Sequence, residues 1–140
     1  MNIQKLLIAG IAAGILYFFC GWLVYGNLLV SFMRNHPGTV AGVERTEMQF
    51  LYIAIGSLLQ GFLLAFVFVK GNVSSLGSGF VTGGIVGFLY DAGVDSLIYG
   101  TSNVMSKTGV AADVVAFTVM SAVIGAIIGM MTGTKKQPYK

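Results

Sequence analysis

The sequence predicts an all-α membrane protein, a bundle of four transmembrane helices that forms a single domain over residues 1–140. The composition is the first reason: 56% of the residues are hydrophobic, only 9% are charged, and the mean hydropathy is +0.84. A soluble domain carries about 25% charged residues, because its surface must be hydrated. The second reason is a set of four apolar runs, each long enough to cross a bilayer as a helix that satisfies its own backbone.

The four runs have clear boundaries. The first covers about residues 6–33 and is long enough to tilt or to project beyond the membrane. It is too long for a signal-peptide core, and no small-residue cleavage site follows it. The others cover residues 48–69, 76–100 and 110–132. The first connection contains the turn sequence Asn35-His36-Pro37-Gly38, and the other two connections are short and polar.

The basic residues predict the orientation. Five lysines lie on the side of the N-terminus, and three basic residues lie on the other side. By the positive-inside rule, both termini are therefore predicted to be cytoplasmic. The five acidic residues all lie in the opposite loops or in the spans beside them. The lysines of the terminal side are Lys5, Lys70, Lys135, Lys136 and Lys140, and the basic residues opposite are Arg34, Arg45 and Lys107.

The two halves of the chain resemble each other, which predicts a parallel repeat of two helical hairpins. A shift of 74 residues places Gly10 on Gly84, and a shift of 64 places the small residues of the second span on those of the fourth. Small residues spaced by four line one face of each of these two helices, where they would let helix backbones approach closely in lipid. The predicted packing residues are Ser57, Gly61, Ser121, Gly125 and Gly129.

Two aspartates inside the third span are the main candidates for a functional site. Asp91 and Asp95 share one helix face, because they are four residues apart. An aspartate in a membrane is costly and faces the interior of a bundle, so the pair predicts a cation or proton site. The alternative is structural: an Asp–Arg pair or Asp–Tyr hydrogen bonds that hold the helices in register. Gln49, Gln60 and Tyr99 complete the predicted binding set.

Further polar residues are predicted near the mouth of that site. Asp113 opens the fourth predicted span, where the helix dipole would stabilise a carboxylate. Trp22, Tyr25, Tyr52 and Tyr99 fall toward the span ends opposite the N-terminus and are typical of an aromatic belt. The residues predicted to form an entrance or ion pairs are Arg34, Glu44, Arg45, Glu47 and Asp113.

The remaining polar residues predict no catalytic centre and no bound metal or cofactor. His36 is the only histidine and Cys20 the only cysteine, so a zinc or haem site has too few ligands and a disulfide within the chain is excluded. The basic residues are scattered at helix ends, which argues against nucleic acid as a partner. The sequence therefore does not predict an enzyme. An enzyme that acts on a lipid or a quinone is the weakest of the functional hypotheses.

Part of the first span resembles a known protein family. Residues Gly21-Trp22-Leu23-Val24-Tyr25-Gly26, followed by Phe32-Met33, resemble a stretch in an early helix of a family of small four-helix bacterial inner-membrane proteins of unknown function. Asn27 stands where that family's pattern has proline. The resemblance covers the first third of the chain. It implies a bacterial inner-membrane location and supplies no activity.

Two functions are carried forward from the sequence. The first is binding or transport of a cation, proton or small solute through Asp91 and Asp95, with a homo-oligomer supplying the pathway that four helices leave little room for. The alternative is an accessory subunit of a larger membrane complex, docked through its glycine-lined faces. The lipid bilayer is the environment in both cases.

Overall fold

The computed structural model describes residues 2–40, 42, 45 and 47–133, and within them the chain is helical. Four long stretches have the length and hydropathy of membrane spans, Ile3–Leu28, Phe50–Lys70, Leu76–Thr101 and Lys107–Thr132. This confirms the predicted fold class, an all-α protein built on four long apolar helices, and it makes the chain a multi-pass membrane protein. The helices are α1 (Ile3–Leu23), α2 (Val30–Asn35), α3 (Phe50–Lys70), α4 (Leu76–Thr101) and α5 (Lys107–Thr132), with a π-helical segment, Val24–Leu28, after α1.

The helix boundaries differ from the predicted spans most clearly at the end of the first span and at the start of the fourth. The first predicted span runs to residue 33, whereas α1 gives way to the π-helical segment and α2 follows as a separate short helix. The hydropathy of the sequence cannot show this break, because the residues on both sides of it are apolar. The fourth span is predicted to begin at residue 110, whereas α5 begins at Lys107, with the Ser106 side chain accepting a hydrogen bond from the Gly109 backbone.

The helices pack as two antiparallel pairs. α1 packs along α3 and α4 packs along α5, whereas α3 and α4 hardly touch. The pairs meet mainly where α1 lies against α5. The Tyr17 hydroxyl donates a buried hydrogen bond of 2.9 Å to Ser121 Oγ there, and its ring stacks on that of Phe117. The buried core is formed by Ala9, Ala13, Tyr17, Leu64, Ala65, Phe68, Phe117, Met120, Ile124 and Ile128.

Glycines set the separation within each pair. A Cβ atom on Gly61 of α3 would overlap backbone atoms of Gly10 and Gly14 in α1. A Cβ atom on Gly125 of α5 would overlap the backbone of α4 in the same way. All five predicted packing residues, Ser57, Gly61, Ser121, Gly125 and Gly129, are buried inside the chain. The close approach gives backbone atoms many van der Waals contacts, which drive helix association in lipid.

The glycine contacts align the two hairpins in a different register from the sequence comparison. Gly61 and Gly125 occupy matching places, as the shift of 64 predicts. Their partners in the first helix of each hairpin are Gly10 and Gly14 in one case and Gly79 and Gly83 in the other, a shift of 69 instead of 74. The duplication itself stays a prediction.

At the bundle end opposite the N-terminus, here called the distal end, two loops join the halves. Pro37 and Met105 form an isolated antiparallel bridge, and the Thr39 N–H donates to the Asn103 carbonyl at 2.9 Å. The Ser106 hydroxyl donates to the His36 carbonyl at 2.6 Å. Because these residues flank α2 and α5, the bonds hold the distal ends of the two hairpins together.

The close packing of α4 on α5 makes a stability prediction. Gly125→Ala should lower the free energy of unfolding by about 1–3 kcal/mol, because the new methyl group overlaps the α4 backbone. Gly93→Ala is the control: Gly93 also lies inside a helix, but a Cβ atom there meets no atom within 4 Å. Thermal unfolding in detergent measures both, and equal stability of the two variants would contradict the close approach.

Candidate functional site: a carboxylate cluster within the membrane

The stripe of small residues that joins α4 to α5 ends in carboxylates. On α4, the stripe consists of every fourth residue of the helix. All five of its members are buried, and the last two are acidic: Gly79, Gly83, Gly87, Asp91 and Asp95. The facing stripe on α5 has the same spacing and runs the other way: Asp113, Phe117, Ser121, Gly125 and Gly129. Antiparallel packing therefore places the acidic ends of the two stripes opposite each other, at a separation set by the glycines.

The three aspartates form a compact cluster. One carboxylate oxygen from each of Asp91, Asp95 and Asp113 lies within 4.8 Å of the other two. Two of the three side chains are well buried, since Asp91 is 8% exposed and Asp95 is 4% exposed, and Asp113 is half-buried. Oδ2 of Asp91 and Oδ2 of Asp95 are both buried, and neither has a hydrogen-bond partner in the described part of the chain. Buried polar atoms without a partner are uncommon, and each needs an explanation.

Among the described residues, Asp113 is the one member of the cluster that has a hydrogen-bond donor. The Tyr25 hydroxyl donates to its Oδ1 at 2.5 Å. Tyr25 lies in the π-helical segment, where the Leu29 N–H bonds to the Val24 carbonyl five residues back and the Asn27 side chain donates to the Trp22 carbonyl. A π-helical turn changes the direction of the residues that follow it, and such turns are frequent at functional sites.

These contacts change the role expected for two residues. The sequence places Asp113 at the start of its helix, whereas it is the seventh residue of α5, so stabilisation by the helix terminus does not explain it. The sequence places Tyr25 in an aromatic belt, whereas it is partly buried and bonded to the cluster. Trp22 and Tyr52 are exposed, as belt residues would be.

Electrostatics makes the cluster unstable when it is fully ionised. Two unit charges about 4.8 Å apart repel by roughly 3–4 kcal/mol at the effective dielectric constant typical of proteins. Three carboxylates contain three such pairs, and one tyrosine hydroxyl offsets little of this. The cluster therefore requires either bound protons or a cation.

A cavity of about 490 Å³ lies beside the cluster, between the two helix pairs. Asp91 and Asp113 contribute to its wall, and Gln60 and Ser57 of α3 lie in the same lining. The rest of the lining is mainly apolar and rich in aromatic rings. It comprises Tyr17, Phe18, Gly21, Trp22, Tyr25, Gly26, Met48, Phe50, Ile53, Gly56, Phe117 and Met120. Such a combination of apolar walls and a few polar groups is typical of small-molecule sites.

A second cavity, of about 730 Å³, adjoins the first toward the distal end. The two cavities share Tyr25, Met48 and Ile53. Two basic side chains, Arg34 and Arg45, contribute to the wall of the second cavity. The shared residues place the two cavities side by side.

The predicted site residues fall into three groups. Asp91, Asp113 and Gln60 share the first cavity, and Asp95 joins them through the cluster. The second cavity contains Gln49, Arg34 and Arg45. Tyr99 and Glu47 are exposed, and Glu44 lies outside the described residues.

The main residue that the sequence did not associate with the site is Tyr25. No local pattern shows that its hydroxyl reaches α5, because the contact spans 88 positions along the chain. The aromatic lining formed by Tyr17, Phe50 and Phe117 could not be predicted for the same reason, because these residues come from three different helices.

No protein-family model, curated protein or solved structure matches the chain. The resemblance of the first span to a bacterial membrane family therefore stays an expectation.

The stability of an aspartate variant distinguishes a functional cluster from a structural one. Asp95→Asn should leave stability unchanged or raise it by about 1–3 kcal/mol, with the gain growing as the pH rises, because one carboxylate leaves a crowded set. Thermal unfolding of the purified protein across a pH series measures this. A loss of stability at every pH would show instead that the Asp95 carboxylate holds the helices together.

Proposed function

We propose that this protein binds a cation or a proton at the cluster of Asp91, Asp95 and Asp113 within the membrane. The observation that carries the proposal is the pair of buried carboxylate oxygens, Asp91 Oδ2 and Asp95 Oδ2, which have no partner among the described residues although a third carboxylate lies within 4.8 Å. An ion or proton supplies the missing partner and offsets the repulsion.

The adjoining cavities support exchange of the bound species with the distal side. With the proposed orientation, in which both termini are cytoplasmic, that side is the periplasm of a bacterial cell. The lining of the 490 Å³ cavity includes residues of α1, α3, α4 and α5. For transport across the whole membrane, we propose that a homo-oligomer completes the pathway.

The alternative, an accessory subunit of a larger complex, loses the feature that suggested it. In that alternative, the faces that bind the partner are the small-residue stripes. They contain Ser57 and Gly61 in α3 and Ser121, Gly125 and Gly129 in α5. These residues are buried against other helices of the same chain. Cation binding therefore has the stronger structural support.

The orientation is testable with single cysteines. In a Cys20→Ser background, Asn103→Cys should react with a membrane-impermeant maleimide in intact cells, because the loop after α4 is proposed to face outward. Ser74→Cys, in the loop before α4, should react only after the membrane is permeabilised. Both positions are exposed in the structure. The reverse labelling pattern would invert the proposed orientation.

Cation binding is testable on the purified protein in a weakly buffered detergent solution. Addition of Na⁺, Mg²⁺, Ca²⁺ or a quaternary ammonium ion should, for at least one of them, raise the melting temperature and release protons. Both responses should disappear in Asp91→Asn and Asp95→Asn, because each variant removes one carboxylate of the cluster. Ser96→Ala, a neutral change at an exposed position beside Asp95, is the control.

Two results would reject the proposal. One is that no cation produces a response in the wild-type protein and that its melting temperature depends on pH no more than those of the two aspartate variants, which excludes both a bound cation and a bound proton. The other is that the response persists at full strength in both aspartate variants, which would place the binding elsewhere.

A further inference from the structure

We infer that the ligand of the carboxylate cluster is an organic cation with an apolar, aromatic body, which occupies the 490 Å³ cavity beside Asp91 and Asp113. This inference rests on the proposed function and names its ligand class. Three features carry it: the volume of the cavity, the chemistry of its walls, and the position of the carboxylates.

The volume exceeds what a bare ion needs. Sites for small molecules have volumes of roughly 300–1,000 Å³, and this cavity falls within that range. A calcium ion is held by about six to eight oxygen ligands, and magnesium prefers an octahedron of oxygens. The carboxylates contribute one polar group each at one side of the space, and the remainder of the lining is mainly apolar.

The walls suit a positively charged organic group. Phe18, Trp22, Phe50 and Phe117 present aromatic rings from three helices to the same cavity. Aromatic faces attract cations, most strongly where water is excluded. They also favour an apolar body, which leaves water when it enters the cavity. Tyr17 lies in the same lining, with its hydroxyl bonded to Ser121 and its ring stacked on that of Phe117.

The carboxylates supply the charge that such a ligand requires. Asp91 and Asp113 line the cavity, and the partnerless Oδ2 atoms of Asp91 and Asp95 belong to the same cluster. A cation that enters a low-dielectric site is stable only when it is paired with an anion. Where a carboxyl group of the cluster carries a proton, entry of a positive charge beside it favours the ionised form and releases that proton.

Two glycines in the cavity wall provide selective variants. Gly56 of α3 and Gly21 of α1 both line the cavity, and a Cβ atom at either position meets no atom within 4 Å. Leucine at either position therefore fills part of the cavity without overlapping the neighbouring backbone. Gly93→Leu is the matched control, because Gly93 of α4 also has open space but faces away from the buried stripe.

The probes are benzyltrimethylammonium, tetramethylammonium and Na⁺, titrated into the purified full-length protein with proton release and melting temperature as readouts. Benzyltrimethylammonium should bind at least about tenfold more tightly than tetramethylammonium, which has the same charge without the aromatic body. Gly56→Leu and Gly21→Leu should weaken its binding by at least about tenfold, whereas Gly93→Leu should leave it unchanged. Asp91→Asn should abolish it.

The outcomes separate this inference from the proposed function. If Na⁺ or tetramethylammonium binds as tightly as benzyltrimethylammonium and the response depends on Asp91, the proposed function stands and the organic ligand is rejected. The same conclusion follows if both leucine variants, with their folding verified by melting temperature, bind benzyltrimethylammonium normally. Binding that survives in Asp91→Asn and Asp95→Asn rejects both proposals.

Discussion

The close approach of α4 and α5 sets the geometry of the carboxylate cluster. Glycines at every fourth position bring the two backbones together, so that a methyl group on Gly125 would overlap the backbone of α4. In lipid, such contacts drive helix association, because there is no water to expel. The same separation is then imposed on the acidic ends of the two stripes, where Asp91 and Asp95 meet Asp113. Helix packing therefore produces a cluster that electrostatics opposes.

Maintaining that cluster has an energetic cost, and the cost is the main argument for a function. Buried carboxylate oxygens without partners are destabilising, and a set of three like-charged groups adds repulsion. Sites that bind ligands commonly keep such strained arrangements, because the ligand relieves them. A purely structural cluster would be expected to pair each acid with a donor. Within the part of the chain that the structure describes, only Asp113 has one, the Tyr25 hydroxyl.

α1 connects the two helix pairs at several levels. Tyr17 bonds to Ser121 in the interior, and Tyr25 bonds to Asp113 nearer the distal end. The π-helical segment lies where α1 reaches the cluster, and the distal loops add backbone bonds between residues such as Thr39 and Asn103. Between these contacts α3 and α4 hardly touch, which leaves room for the cavity. The site is thus built from both hairpins, although its acids come from only one of them.

The four membrane helices, the placement of Asp91 and Asp95 on one helix face, and the small residues that pack the helices could all be predicted from the sequence. Each of these depends on local spacing, because hydropathy and the periodicity of a helix are properties of a single segment. Three features come from the tertiary structure instead: Asp113 joins the aspartate pair, Tyr25 turns away from the lipid interface, and aromatic residues from three helices line one cavity. These features depend on the rotation and relative register of helices far apart in the chain. That register is changed by a backbone contact such as that of Gly61 with Gly14, or by a single π-helical turn. Neither can be recognised from the hydropathy of the sequence.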